Sequence, residues 1–447
     1  MKMKTSTQRL LAVAGGVGLA VVVLFRAHAS SPALVGPAPL VAAAGPVART
    51  IPPGAFVAED EASLKRALAE GPDEIWLRGR TYEGDFHVTR RLTLRGEQGA
   101  TLRGTGTNSV LLVDADDVVV ENVRVLHSGS RHTAEDAGIK VHGARARIAE
   151  VEVEDSLFGV SIGPCPHCTL EHVRVKGPGA AEELRGDGIK LWEAHDSVVR
   201  GCEMDGSRDL VVWYSKRVEL DHNVVKNSRY GSHLMYAHDA WIHDSDIRSN
   251  VVGIFVMYSE RVRVEDNVLA GARGPAGVGI GFKESDGVKI DRNWIVANTV
   301  GTYLDRTPRA PSMPVKFDGN VIALNDVALR FHSSEEGVNF TGNDLRENVT
   351  VAEVEGGGDA LGIHFEGNHW SDYAGYDLDG DGRGDVAFEV KQLSSELTDA
   401  RPSLMYFRGT AAMSLVDTIA QAAPVLATHR MLIDPSPAMN GREGSSK

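Results

Sequence analysis

The sequence predicts an all-β fold, a parallel β-helix wound from coils of about 22 residues. Three observations predict it. Segments that open on a small residue and continue with alternating apolar positions recur along the chain: "GIKV" from 138, "GVSI" from 159, "GIKLWEA" from 188, "DLVVWYS" from 209, "GSHLMYA" from 231, "GIFVMYS" from 253 and "GIGFKES" from 279. A second register of asparagines, Asn223, Asn267, Asn293, Asn320, Asn343 and Asn368, follows strands of the type "RVELDHN" and "RVRVEDN". Stacked asparagines can bond to their copies one coil away and tolerate a left-handed turn, so they mark a repeated corner. Two or three short strands per repeat, with no helical periodicity between them, suit stacked coils better than a propeller or a leucine-rich horseshoe.

The elements follow in chain order. Lys2, Lys4 and Arg9, the apolar run from Leu10 to Phe25 and Ala27-His28-Ala29 read as an export signal over residues 1–29. The apolar run is shorter than the roughly 20 residues that a bilayer span requires, so cleavage near Ala29 is expected, and with it a periplasmic or extracellular protein. Residues 30–54, rich in Ala and Pro, read as a linker. "DEASLKRALAEG" over 60–71 reads as a short amphipathic helix covering the open end of a β-helix domain that spans 55–370. Residues 371–447 form a C-terminal segment with an acidic loop, an apolar helix-like tail and a Pro-rich end carrying Met431 and Met439.

Numbering the small residue of each repeat zero, positions one and three are apolar (Ile189 and Leu191, Leu210 and Val212, Ile254 and Val256) and fill the tube. Positions two and four then face outward. They set Trp192, Trp213, His233, Met235, Phe255 and Met257 on adjacent coils. Imidazole and thioether together suit copper(I), a soft ion, so His233, Met235 and Met257, covered by Trp213, are candidate ligands. The same patch also reads as a greasy docking surface. Tyr214, Tyr236 and Tyr258 form an aromatic ladder beside it, read as structural.

Two further constellations carry chemistry. Cys165 and Cys168 in "GPCPHC" form either a local disulfide or a metal pair, with Cys202 left over as a buried coil residue. Asp377, Asp379, Asp381 and Asp385 occupy the first, third, fifth and ninth positions of a calcium-type loop with Gly382 at its turn, although Phe388 stands where a bidentate Glu is usual. A structural calcium and a plain acidic turn are the two readings.

The net charge of −14 excludes a nucleic-acid partner, because a phosphate polymer needs a basic surface. The outward lattice of the central coils shows no tight carboxylate cluster of the kind that β-helix hydrolases and lyases use. The chain is therefore expected not to be an enzyme. A carbohydrate-active β-helix enzyme (lyase, hydrolase or epimerase) and a purely structural docking platform are the alternatives, since a fold does not decide a function.

The segment "GNHWSDYAGYDLDGDGRGDVAFEV", together with "GDGIKLWEAHDS", "YGSHLMYAHDA", "GIFVMYSERVRVEDN" and "LIDPSPAM", resembles the NosD family in order, from about residue 55 to 440. His369 replaces the family's usual Tyr, and "AFEV" stands where Pro-Tyr is common. The resemblance implies a right-handed β-helix exported to the periplasm and held at the inner membrane through an ABC-type ATPase and permease. It further implies a copper chaperone lipoprotein as partner and maturation of the copper-sulfide centre of nitrous oxide reductase as the task, with copper(I) or sulfur received or delivered. It supplies no ligand set.

Overall fold

The computed structural model describes residues 37–441, apart from 42–43, 357 and many positions between 393 and 428. The expected export signal and the core of the expected helical tail lie outside the described residues. Among the described residues, three parallel sheets of 14, 13 and 12 strands form the β-helix, each strand between the two ends pairing with its counterparts one coil earlier and one coil later. The first sheet runs from Val57–Ala58 to His364–Glu366, the second from Thr81–Glu83 to His369–Trp370, and the third from Phe86–Val88 to Thr350–Val354. The parallel β-helix is confirmed, and one continuous core of inward side chains fills it.

Zero positions are small because neighbouring coils approach closely there. A Cβ on Gly253 would strike the Gly279 carbonyl, and one on Gly159 the Gly188 carbonyl. Inward positions are fully buried, as at Leu191, Leu210, Leu234, Ile254 and Phe282.

The corner between the first and second sheets carries the asparagine ladder. Asn293 Oδ1 accepts both the backbone N–H and the side-chain Nδ2 of Asn267, at 3.0 Å each, and Asn320, Asn343 and Asn368 repeat the pattern. The left-handed residue is the one before each asparagine, His222, Asp266 and Arg292 among them, and not the asparagine itself. This corrects the expected reason for Asn at the corner: its task is to satisfy buried amides that the turn leaves without a strand partner. Cys202 occupies a rung of the same ladder, its N–H donating to Asn223 Oδ1, and burial pushes its thiol up to about 12. Two ladders escape a search keyed on strand-D/E-x-N patterns. Asn250, Asn298, Asn325 and Asn348 line the next corner, and the hydroxyls of Ser197, Ser215, Ser259, Ser285 and Thr307 line the third.

Both ends of the tube are covered. Helix Glu61–Glu70 buries Leu64, Ala67 and Leu68 over the first coil, and a reciprocal Asp60–Ser63 capping box starts it. At the other end, the Pro-rich end carrying Met431 includes a strand, His429–Asp434, antiparallel to Phe388–Gln392. Phe388 stacks on Trp370 with centroids 4.6 Å apart, and Asp434, fully buried, accepts from the N–H and Nδ2 of Asn368 and from Trp370 Nε1. The asparagine ladder thus ends on a carboxylate.

The stretch expected as a linker runs along the solenoid. Pro37 O accepts from Arg248, Leu40 N–H donates to Asp246, Gly45 N–H to the His172 carbonyl and Val47 N–H to Asn122 Oδ1, while Arg49 pairs with Glu150.

Candidate functional site

The outward face of the third sheet assembles the soft residues. Its strands Asp209–Trp213, Tyr230–Met235 and Val252–Met257 pair so that Val211, His233 and Phe255 share one column, and Trp213, Met235 and Met257 the next. His233 and Met235 lie two residues apart on one strand, and Met257 sits one coil along from Met235. The register therefore brings together all four residues proposed from the sequence.

Their exposure corrects the expectation of a patch standing in water. His233 is only 8% exposed, and Met235, Met257 and Trp213 are half-buried. The cause is a residue that the sequence reading did not single out. The pairing is Asp209 with Tyr230 but Val211 with His233, so the later strand carries one extra residue, a bulge. Bulging brings Tyr230 onto the same face as His233, and the two rings stack at 4.7 Å and 22°. Trp213 meets the other side of the imidazole edge-on at 5.6 Å and 87°. The signal was the count from Arg to the inward residue, "RDLVV" against "RYGSHL".

Inside this sandwich both ring nitrogens of His233, and the indole Nε1 of Trp213, are buried without a hydrogen-bond partner. Buried polar atoms are nearly always paired, and leaving one unpaired costs about 1–3 kcal/mol. Burial also holds the His233 pKa below the usual imidazole range. The neutral ring, with a lone pair free, is thus the form present around neutral pH. A neutral imidazole beside two thioethers is a donor set for a soft cation, and a resident copper(I) would give an orphaned nitrogen its missing partner.

The tyrosine ladder stacks as expected, Tyr214 to Tyr236 at 5.1 Å and Tyr236 to Tyr258 at 5.2 Å. All three sit at left-handed φ near 51–52°, so the aromatic column is also the corner at which each strand leaves the third sheet.

Towards the N-terminal coils the same face continues into a cavity of about 340 Å³ lined by Glu135, Lys140, His142, Ser161, Lys190 and Trp192. Lys190, nearly buried, pairs with Glu135 and lies over the Trp192 ring at 5.4 Å. Burial tends to raise the Glu135 pKa, but the two nearby lysines and the Ser161 hydroxyl outweigh it and hold the carboxylate ionised. Towards the C-terminal coils Glu335, 6% exposed, is pushed up to about 7 by burial, with Asp305 adding repulsion. Its folded pKa lies above the ordinary 4.5, so the fold favours the protonated acid and stability falls as pH rises from about 4.5 to about 7. Urea midpoints for Glu335→Gln are expected to be flatter over that window than for the wild type. Parallel curves would show that Glu335 titrates normally.

The structure joins Cys165 and Cys168 in a disulfide with Cα atoms 5.8 Å apart. In the acidic loop, one oxygen each of Asp377, Asp379 and Asp381 converge within 4.8 Å, while Asp385 Oδ2 accepts from the Leu378 N–H. Asp377 is held below the usual carboxylate range, chiefly by the Gly382 N–H, which donates to it at 2.9 Å. The expectation that the central coils lack a tight carboxylate cluster is also corrected. Glu219, Asp221 and His243 cluster on the outward face of the first sheet, which the lattice of third-sheet positions did not include.

Comparison with known proteins completes the picture. A family model described as "Periplasmic copper-binding protein (NosD)" matches residues 171–375. A "Probable ABC transporter binding protein NosD" of Pseudomonas aeruginosa is 26% identical over 410 residues, covering 80% of this chain and 86% of that protein. Its namesake from Stutzerimonas stutzeri is 25% identical, covering 77% and 82%. Another Pseudomonas aeruginosa sequence with the same description is 36% identical over 73 residues, which cover 16% of this chain and 67% of that protein. Among solved structures, the catalytic unit of a GH87 α-1,3-glucanase from Streptomyces thermodiastaticus superposes with a TM-score of 0.53 at 15% identity, covering 74% of this chain and 68% of that one. A mannuronan C-5 epimerase module from Azotobacter vinelandii gives 0.48 at 12%, covering 70% and 97%. The expectation that the chain is not an enzyme is corrected by the glucanase: its catalytic unit shares this architecture, so the fold gives no support for excluding catalysis.

Proposed function

The chain belongs to the NosD family, and from that premise we propose that it is a periplasmic copper-binding accessory protein. It receives or delivers copper(I) at the His233–Met235–Met257 patch during maturation of the copper-sulfide centre of nitrous oxide reductase. Its partners in this reading are an ABC transporter, which also keeps it at the inner membrane, and a copper chaperone lipoprotein. The observation that carries the reading is the buried imidazole of His233, unpaired at both nitrogens, beside two methionines in register.

The chemistry follows from the residues. Copper(I) prefers soft donors and low coordination numbers, so one imidazole and two thioethers suffice, and in this reading Trp213, 5.6 Å from the His233 ring, covers the ion. Half-buried thioethers leave one side of the ion reachable, as transfer to a partner requires. In this reading the Asp377–Asp381 loop holds a structural calcium away from the copper path.

Anaerobic titration with copper(I) against a competing chelator tests the site. Met235→Leu/Met257→Leu is expected to weaken binding by about 10- to 100-fold, and His233→Phe to a similar degree. Unchanged affinity in both variants would remove the patch as the copper site.

A second reading is favoured by one observation: Glu335 Oε1 accepts the Arg306 N–H at 2.9 Å, which sets this buried acid next to Asp305 at the end of strand Val300–Asp305. It makes this pair of acids a carbohydrate-active centre, and the release of reducing ends from a uronic-acid polymer by the wild type, lost in Glu335→Gln, would carry it.

A further inference from the structure

The first sheet carries a second donor cluster, of a different chemical class. Glu219 and Asp221 share one face of strand Glu219–Asp221, and His243 ends the next strand, Trp241–His243, in register with Asp221. One carboxylate oxygen from each acid and one ring nitrogen of His243 lie within 4.8 Å of one another. His243 is 7% exposed. Its Nδ1 lies 2.9 Å from Asp244 Oδ2 and 3.4 Å from Asp221 Oδ1, while its Nε2 is buried with no hydrogen-bond partner and faces Glu219 Oε1 at 3.5 Å.

This geometry has a direct electrostatic reading. With Asp244 beside Nδ1, the buried Nε2 faces a carboxylate oxygen with no hydrogen bond between them, a gap that a proton on Nε2 or a bound cation would bridge. A carboxylate behind the imidazole is the usual outer support of a histidine that binds metal. Donors on a tetrahedral metal with bonds of about 2.0–2.1 Å are separated by about 3.4 Å, so the Glu219–His243 spacing needs little adjustment. The ring is also fixed in place. Trp241 stacks on it at 3.7 Å and 22°, and is itself held by its Nε1–H donating to Glu265 at 3.0 Å and by Arg263 over its other face.

The surrounding charge favours a cation. Glu219, Asp221, Asp244, Glu265, Asp291 and Asp318 stand here against Arg200, Arg263, Lys289 and Arg292, and burial together with Glu265 and Asp318 raises the Asp291 pKa. Arg200 donates to Asp221 at 2.7 Å and to Glu219 at 3.1 Å, and His222 pairs with Asp221. The Arg200 contact to Glu219 is made on Oε1, the oxygen that faces His243, so a bound cation would compete with Arg200 for it.

We propose that Glu219, Asp221 and His243 form a binding site for a divalent transition cation of the zinc type, separate from the sulfur-containing patch on the third sheet. Nitrogen and oxygen donors select borderline divalent ions, whereas thioethers select copper(I), so the two faces sort metals by softness.

The test is a cobalt(II) titration of the full chain after removal of bound metal, read by visible absorption and followed by displacement with zinc. The wild type is expected to take up a single equivalent with intense tetrahedral bands that zinc abolishes. His243→Phe, which keeps a ring against Trp241, is expected to lose the bands, and Glu219→Gln to weaken binding by about tenfold or more. Met235→Leu/Met257→Leu is expected to retain them, which keeps this site's outcome separate from that of the copper patch. Should His243→Phe fail to fold, Glu219→Gln decides, because Glu219 is only half-buried. A wild type without bands, or variants that bind cobalt as tightly as the wild type, would overturn the proposal.

Discussion

Replacement of Asp434 by Ala is expected to destabilise the protein by about 3–5 kcal/mol, measured as a fall in the urea midpoint. Asp434 is fully buried at the C-terminal end of the asparagine ladder. Its Oδ2 accepts three donors, the Asn368 N–H at 3.1 Å, Asn368 Nδ2 at 3.0 Å and Trp370 Nε1 at 3.1 Å, and its Oδ1 accepts the Ser436 N–H at 3.2 Å. Truncation leaves these donors in a site walled by Phe388, Leu432 and Trp370, where water has little access. Hydrogen bonds to a charged acceptor are the strong kind, which is why this position exceeds an ordinary polar truncation. The end of the stack is also where fraying begins, since a terminal coil has a neighbour on one side only. Asp434→Asn keeps one acceptor oxygen and is expected to lose less than half as much. If the Ala variant unfolds at the wild-type midpoint, the ladder does not need its terminal carboxylate.

The sequence carried the solenoid because the solenoid is a periodic object. Ile254 and Val256 recur where Leu210 and Val212 do, and a repeat fixes which side chains point inward and which lie one coil apart. Hence the register of Met235 with Met257 was legible, and so was the pairing of Trp213 with Met235. Departures from the period were not legible. The extra residue before His233 shifts Tyr230 onto the outer face, and burial of the imidazole follows from that single insertion. The Glu219–Asp221–His243 cluster lies on the first sheet, outside the third-sheet lattice that the soft residues define, although "ELDHN" and "WIHDS" stand one period apart. The strand His429–Asp434 was hidden for another reason. Its pairing partner, Phe388–Gln392, is remote in sequence and belongs to no repeat, so only tertiary packing reveals it.

Substitution of Asn320 by Ala is expected to cost about 2–4 kcal/mol, and to break the cooperativity of unfolding without altering copper affinity. Asn320 has no exposed surface. Its Oδ1 accepts from Asn293 N–H at 2.9 Å and Asn293 Nδ2 at 3.0 Å, and its Nδ2 donates to the Ile290 carbonyl at 2.7 Å and to Asn343 Oδ1 at 2.9 Å. Asn293 Nδ2 keeps Val264 O as an acceptor and Asn343 Oδ1 keeps the Asn320 N–H. The uncompensated loss is therefore the Asn293 N–H, since Ile290 lies within the ladder between strands Lys289–Asp291 and Val315–Asp318. It lies at the interface between consecutive coils, and in a stack where each coil touches only its neighbours, an interface term is what couples the two halves. Weakening it should let the coils after residue 320 open before those that precede it. Hydrogen exchange reads this directly: amides of the strands from Val321 onward should lose protection first, while those around His233 keep theirs. The soft patch lies several coils earlier, on the third sheet, so copper(I) affinity should match the wild type in conditions where the variant remains folded. A variant that unfolds in one transition at the wild-type midpoint would assign the ladder no part in coupling the coils.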